Sequence, residues 1–150
     1  MDVKTLQSLV KKIREFPKIS ERFIKEILQE DDDYLSILNE DVLFEGFDSE
    51  GQKLGTHAKS TERIKKRKGT WIDSNIRLLD EGVFFDSIFT EVSNKVLQWK
   101  SSDPNAPKVK YLFKRFGKNI MGIPPEQFSK YLHGRFNQKF QKKITLWLDT

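Results

Sequence analysis

Few residues in this chain have the type and spacing that catalysis requires. The sequence has 2 His and no Cys, so thiol nucleophiles, disulfides and Cys-based zinc sites are excluded. It contains no P-loop, G-x-G-x-x-G, G-x-S-x-G or H-E-x-x-H pattern. Spacing assigns no base to Ser87, and we interpret His133 as a solvent-facing helical residue. We therefore expect a non-enzymatic protein with no catalytic residue, no cofactor and no metal.

An acidic run, Glu30–Asp33, offers the chemistry of a cation site or of a helix start. Carboxylates complement the exposed amides in the first turn of a helix. No Gly-containing calcium-loop spacing follows the run. We therefore favour the helix start over the metal site.

A basic segment between residues 59 and 68 is the candidate contact surface for phosphates or for an acidic partner. We predict a solvated loop there, although Ser60 and Thr61 could begin a short helix. Between Lys108 and Phe116, lysines alternate with aromatic residues, which suits either base stacking or an amphipathic strand, and we favour the strand. The candidate contact residues are Lys59, Arg63, Lys65, Lys66, Arg67 and Lys68.

Charge is unevenly distributed along the 150 residues. Residues 1–50 hold 7 Lys and Arg against 13 Asp and Glu, a net charge of −6, whereas residues 51–150 hold 20 against 9, a net of +11. Such asymmetry fits nucleic-acid contact or head-to-tail association of acidic on basic surfaces. The 12 Phe, 3 Trp and 3 Tyr make a packed core feasible although only 37% of residues are hydrophobic.

The distribution of apolar residues predicts neither a membrane span nor a signal peptide. No apolar run approaches the roughly 18–20 residues that span a bilayer. The first residues lack the apolar core of a signal peptide. We expect the protein to remain in the cytoplasm where it is made.

Residues 1–45 predict an N-terminal helical arm. Apolar residues from Leu6 to Phe16 recur at helical spacing, and Pro17 is expected to end that helix. Ser20 is a candidate N-cap for a second helix. A third helix is predicted between Tyr34 and Phe44.

Residues 46–150 predict a separate α+β domain. Gly46–Gly51 has the composition of a turn. Residues 76–112 read as mostly strand, with a hairpin connection at Ser93-Asn94 and a last strand through Val109, Tyr111 and Phe113. Pro124-Pro125 begins a closing helix. The predicted fold class is α+β, with N-terminal helices, a small antiparallel sheet and a C-terminal helix packed on the sheet.

Several short motifs occur in a recognisable order. The first is Gly46-Phe47-Asp48-Ser49-Glu50-Gly51, which precedes Ser60-Thr61 and the lysine-rich stretch. Next comes the segment from Ile76 to Ile88, which contains Leu79-Asp80-Glu81-Gly82 and Ser87-Ile88. The last are Phe116-Gly117 and Ile120-Met121-Gly122-Ile123.

This order resembles the tail-completion, or neck, proteins that act in virion morphogenesis of tailed bacteriophages. The Ile-x-Gly-Ile variant after the Phe-Gly is most similar to proteins of phages that infect Bacteroidales, including crAss-like phages. The resemblance covers roughly residues 42–145. The chain departs from the family pattern at Glu81, where Thr is usual, and at Leu54-Gly55, where a Trp is often found.

The resemblance implies a structural subunit of the virion that forms part of a ring at the head–tail junction or tail top. Its implied partners are other copies of itself, portal-side connector or adaptor proteins and tail proteins, with genomic DNA as a non-specific neighbour in the lumen and no membrane. The competing class is a basic nucleic-acid-binding accessory protein. Residues with expected folding roles in the motif, such as a tight turn at Gly82 and a helix cap from Asp80, are Gly51, Asp80, Gly82, Ser87, Phe116, Gly117 and Gly122.

Overall fold

The computed structural model describes residues 3–78 and 82–150. Asp80, the predicted helix cap, and its neighbours Leu79 and Glu81 lie outside the described residues. Within the described ranges the chain forms helices and one antiparallel hairpin, which confirms the α+β fold class. The elements are α1 (Val3–Glu30), α2 (Asp32–Phe44), α3 (Lys59–Lys68), α4 (Gly82–Asp86), β1 (Ile88–Ser93), β2 (Val96–Ser101), α5 (Pro107–Phe116), α6 (Pro125–Tyr131) and α7 (Asn137–Leu148).

The N-terminal region is one long helix rather than two. The prediction that Pro17 ends the first helix is wrong, because α1 continues through it to Glu30. A proline removes only one backbone donor. The 28-residue helix continues because its other hydrogen bonds, on both sides of Pro17, are kept. Ser20 is not an N-cap, since its hydroxyl lies inside α1 and donates a 2.9 Å hydrogen bond to the carbonyl of Pro17.

The acidic run lies at the junction of α1 and α2. Asp32 and Asp33 occupy the first turn of α2, which confirms the predicted helix start. Asp32 also holds the hairpin, because its carboxylate accepts hydrogen bonds from the amide and hydroxyl of Thr90. The turn after α2 is also confirmed, with Gly51 at φ +76°.

The hairpin agrees with the sequence prediction except that its connection is Asn94-Lys95 rather than Ser93-Asn94, and the predicted sheet is too large. β1 pairs with β2 from Ile88–Ser101 to Ser93–Val96. Asn94 and Lys95 both adopt positive φ, as a two-residue type I′ turn requires. The expected strand at 109–113 is wrong, because this segment forms α5. Val109, Leu112, Phe113 and Phe116 also recur at helical spacing, and Pro107 occupies the first turn, where proline is tolerated.

The C-terminal helical region begins after Pro124 as predicted and reaches Leu148. A π-helical turn, Leu132–Phe136, joins α6 to α7, and His133 is exposed there. Phe128, Leu132 and Phe136 pack against the same buried cluster as Val92, Leu97 and Trp99 of the hairpin. The C-terminal helix therefore packs on the sheet, as expected. No helix among residues 3–78 and 82–150 combines the length and apolarity needed to cross a membrane.

Each of the two buried clusters combines residues from before and after residue 45. Leu43 belongs to one buried cluster with Ile76, Phe84 and Leu112. A second cluster joins Leu28, Leu35 and Val42 to Ile123 and Tyr131. The second half of α1 and the helix α2 therefore contribute buried residues to the same core as the rest of the chain.

Candidate functional site: a basic helix and the motif junction

The basic segment forms a helix, so the loop predicted for it is wrong. Lys, Arg and Glu are good helix formers, and Gly69 ends α3 with φ +71°. The amides of Gly69 and Thr70 bond back to the carbonyls of Lys66 (3.2 Å) and Lys65 (3.0 Å), which satisfies two end carbonyls. No described residue of α3 is buried. The helix therefore presents its cations at the surface in a fixed arrangement.

Two side chains hold Lys66 in place. Its ammonium lies 2.6 Å from the Glu62 carboxylate and 5.1 Å from the centre of the Trp71 ring. The other candidate cations of α3 are exposed, except Lys65, which is partly buried. The candidate contact residues thus share one short helix, with an aromatic ring at its C-terminal end.

Arg115 of α5 extends this basic surface. Burial lowers the pKa of His57, and the positive charges of Lys65 and Arg115 lower it further. Both cations therefore act on one imidazole, although they lie on separate helices. The His57 ring lies 6.3 Å from the Trp71 ring, and Arg115 lies 5.0 Å from the Phe116 ring. Sequence spacing gave no signal that would join Arg115 to α3.

The acidic run does not provide a free surface to complement the basic helix. Asp31 is fully buried and is bonded by three side chains: Tyr131 (3.0 Å), Arg135 (2.8 Å) and Lys139 (2.6 Å). Glu30 pairs with Lys143 at 2.9 Å. With Asp32 bonded to Thr90, most of the run is neutralised within the chain.

This ion-pair cluster shifts the pKa of its members in the directions that favour charge. Burial acts to raise the pKa of Asp31, but the hydrogen bonds from Lys139, Arg135 and Tyr131 outweigh it and leave that pKa lowered. The bond to Asp31 raises the pKa of Arg135, and the bond to Glu30 raises the pKa of Lys143. The cluster fixes the C-terminal helix to the junction of α1 and α2. Among the described residues no group of three or more His, Cys, Asp and Glu is arranged to hold a metal.

The motif segments meet at a second place, which we call the motif junction: Asn39, Ser49 and residues 117–122. The amide of Ser49 donates to the carbonyl of Asn119 at 2.8 Å. Buried Asn39 donates to the carbonyl of Ile120 at 3.1 Å and accepts from the amide of Gly122 at 3.2 Å. Two segments of the resemblance that are far apart in sequence are therefore in direct contact.

Gly122 satisfies a strict requirement at this junction. Its φ is +122°, and a Cβ there would lie 3.2 Å from the Cβ of Ser49. Gly117 also has a positive φ, +77°, where α5 ends. Gly51 closes the turn in which the Asp48 carboxylate accepts the amides of Glu50 (2.9 Å) and Gln52 (2.8 Å). All three glycines therefore stand at positive-φ positions, and Gly117 and Gly122 follow helix α5 rather than the strand that the sequence predicted.

The other motif residues divide into structural and unconstrained positions. The Ser87 hydroxyl donates to the carbonyl of Phe84 at 2.7 Å and lies 2.8 Å from the Ser101 hydroxyl. Phe116 is partly buried against the first core cluster. Gly82 is the first residue of α4, is exposed, has no positive φ, and has no atom within 4 Å of a Cβ placed on it. Gly82 itself is therefore helical, and the tight turn expected from Leu79 to Gly82 falls mostly on residues 79–81, outside the described residues.

A groove of about 1180 Å³ lies between α1, the hairpin and the C-terminal helices. Its walls are mainly apolar, and they include Ile24, Leu97 and Phe128. The indole nitrogen of Trp99 is buried and has no hydrogen-bond partner among the described residues. Sequence analysis missed this groove because its walls come from three separate parts of the chain.

These features define a small α+β protein with surfaces suited to binding. No family model, no curated protein and no solved structure matches this chain.

Proposed function

We propose that this chain is a non-enzymatic structural subunit of a tailed-phage virion, present in several copies in a ring at the head–tail junction or tail top. The order of motifs between residues 46 and 123 supports the phage assignment. The chain is made in the host cytoplasm and is incorporated into the particle. Its partners are other copies, portal-side connector or adaptor proteins, and tail proteins.

The observation that carries this proposal is the motif junction. The amide of Ser49, in the first motif, bonds to the carbonyl of Asn119, beside the last motif, and Asn39, which precedes the motifs, bonds to Ile120 and Gly122. Here the first and the last motif segments are in direct contact, as parts of a shared framework would be.

The surface gives independent support. Among the residues that the structure describes, fifteen large hydrophobic residues are exposed, seven of them on α1 from Val3 to Ile24. Exposed apolar surface on this scale marks sites of association with other chains. The basic face of α3 and Arg115 adds a charged surface that in a ring would contact a neighbour or line the lumen.

The test is to purify the particles of the phage that encodes this chain. We expect mass spectrometry to find the chain in tailed particles in several copies per particle, and electron microscopy to place it between head and tail. Particles that lack the chain but are complete and infectious would contradict the proposal.

The alternative function is a nucleic-acid-binding accessory protein. The observation that favours it is the position of Lys66 over the partly buried Trp71 ring, because cations beside an aromatic ring suit phosphate contact and base stacking. Binding of the purified chain to DNA should then weaken steeply and linearly on a logarithmic scale as salt rises. A chain absent from particles that binds DNA in this way would favour the alternative.

A further inference from the structure

Two helices of this chain present cations that are not neutralised by carboxylates. The sequence of α3 holds six Lys and Arg against one Glu, and that of α5 holds four against none. The single carboxylate of α3, that of Glu62, pairs with Lys66. Neither Lys65 nor Arg115 has a carboxylate partner among the residues that the structure describes. The ligand that this surface fits is therefore negatively charged.

Aromatic rings accompany these cations. The Lys66 ammonium is 5.1 Å from the centre of the Trp71 ring, and the Trp71 ring is 6.3 Å from that of His57. Lys65 and Arg115, which belong to separate helices, both act on the imidazole of His57 and lower its pKa. The imidazole therefore joins the cations of α3 to Arg115 of α5 in one surface.

Tyr111 of α5 provides an exposed ring beside one of these cations. Its exposed fraction is 54%, although it is a large aromatic residue. The Arg115 guanidinium donates to the Tyr111 hydroxyl at 2.8 Å and lies 6.0 Å from the centre of the ring. This hydrogen bond holds the ring next to the cation. An exposed aromatic ring in a basic surface is a platform on which an unpaired base can stack.

A single strand of nucleic acid matches both the charge and the exposed ring. Its phosphates complement the cations, and its unpaired bases have flat faces that stack on aromatic side chains. An acidic protein surface would match the charge but would leave the Tyr111 ring without a stacking partner. A duplex would also match the charge, but its bases are already stacked on one another. Charge and aromatic exposure together therefore favour the single strand.

We propose that the surface formed by Lys65, Lys66, His57, Tyr111 and Arg115 binds single-stranded nucleic acid. The phosphates lie at the cations, and a base stacks on the Tyr111 ring. This inference does not rest on the proposed virion role, because a virion subunit and an accessory protein can both carry such a surface. To the nucleic-acid-binding alternative it adds the kind of strand and the ring that contacts a base.

The first experiment measures, by fluorescence anisotropy, how the purified full chain binds a labelled oligothymidine of about 15 nucleotides. The logarithm of the association constant should fall linearly with the logarithm of salt concentration. Lys65→Gln with Arg115→Gln should raise the dissociation constant at least about tenfold and reduce that slope by about 1.4, which is about 0.7 for each cation. The matched control, Lys18→Gln with Lys142→Gln, removes the same charge at exposed positions elsewhere and should raise the dissociation constant less than about twofold.

The second experiment tests stacking on Tyr111. Tyr111→Ala should weaken the binding of oligothymidine by at least about fivefold, because the stacking platform is lost. Tyr111→Phe is the matched control, since it keeps the ring and should bind as the parent does. Neither substitution should change the binding of a DNA duplex of the same length. Circular dichroism should show that both variants keep the parent's helix content, because the ring is exposed.

A third measurement follows the imidazole of His57. Burial lowers its pKa in the free chain, the charges of Lys65 and Arg115 lower it further, and the charge of Asp73 opposes them. A phosphate bound at this surface should raise that pKa, which NMR titration of the ring signals measures. The signals of His133, in the turn between α6 and α7, are the internal reference. An unchanged pKa in the complex would show that the strand binds elsewhere.

Four further outcomes would overturn the proposal. The first is a parent chain that does not bind oligothymidine even at low salt. The second is an equal loss in the two charge variants, which would show an effect of net charge alone. The third is tighter binding of the duplex, or Tyr111→Ala that binds oligothymidine as the parent does. The fourth is equally tight binding of polyglutamate of the same charge, which would show that any polyanion suffices. Absence from virions would refute the proposed function and leave this inference intact.

Discussion

The hydroxyl of Tyr131 donates a 3.0 Å hydrogen bond to the carboxylate of Asp31, across 100 residues of chain. Arg135 and Lys139 bond the other oxygen of the same carboxylate. The junction of α1 and α2 and the C-terminal helix are thus joined at one buried charge. A buried carboxylate of this kind is tolerated because each of its oxygens is bonded.

Removal of this carboxylate should destabilise the fold. Asp31→Ala removes the acceptor of the Tyr131 hydroxyl and of Arg135 and leaves Lys139 only its 3.5 Å contact with Glu30, and we expect a loss of about 2–3 kcal/mol in the free energy of unfolding. Urea denaturation measures it. The control is Asp33→Ala in the same acidic run, where the residue is exposed and the loss should stay below about 1 kcal/mol. Equal losses in the two variants would contradict the role assigned to Asp31.

The same cluster should make stability fall in acid. The pKa of Asp31 is lowered in the folded state, so its contribution is present above the ordinary pKa of 3.8 and is lost as pH falls through the lowered pKa. Thermal melts of the parent and of Asp31→Asn at several pH values check this. We expect the difference between them to be largest near neutral pH and to shrink in the acid range below about pH 4.

Glu40 should behave in the opposite way. Burial raises its pKa, and the charges of Asp41 and Asp86 raise it further, so the folded state disfavours its carboxylate. Glu40→Gln should therefore raise the melting temperature at pH 7, with the gain disappearing as pH falls below the ordinary glutamate value of 4.5. Glu50→Gln, at an exposed position in the turn, is the matched control and should change little. A lower melting temperature for Glu40→Gln at pH 7 would refute this account.

Two glycines provide a matched test of the motif. Gly122→Ala places a Cβ 3.2 Å from that of Ser49 at a φ of +122°, and we expect a loss of about 1–3 kcal/mol in stability. Gly82→Ala meets open space at the start of α4 and should be neutral or stabilising by up to about 1 kcal/mol. Thermal unfolding measures the stability of both variants. A larger loss for Gly82→Ala than for Gly122→Ala would contradict this account.

The sequence correctly predicted the elements that have their own turn or cap residues. It failed where the same residues fit both strand alternation and helical spacing. The hairpin, the start of α2 and the closing helix each have their own turn or cap residues. Between Val109 and Phe116, alternation and helical spacing coexist, and contacts with the first core cluster favour the helix. The bonds of Asp31 to Arg135, and the approach of Arg115 to His57, join distant segments and leave no trace in local spacing.

The basic helix should affect association mainly at low salt. Replacement of Lys65, Lys66, Arg67 and Lys68 with Gln keeps good helix formers in α3, so the fold should remain intact. We expect association of the chain with its assembly partners to slow or weaken at low ionic strength. The deficit should shrink as salt rises, because exposed charges are screened beyond about 10 Å at 0.1 M salt. Light scattering of the assembly reaction over a range of salt concentrations measures this.

The control replaces four exposed lysines elsewhere, Lys18, Lys25, Lys53 and Lys142, with Gln, so that net charge changes equally. Equal deficits in the two variants would show that α3 acts only through net charge, and an unchanged rate at every salt concentration would show that α3 is only a solvated face.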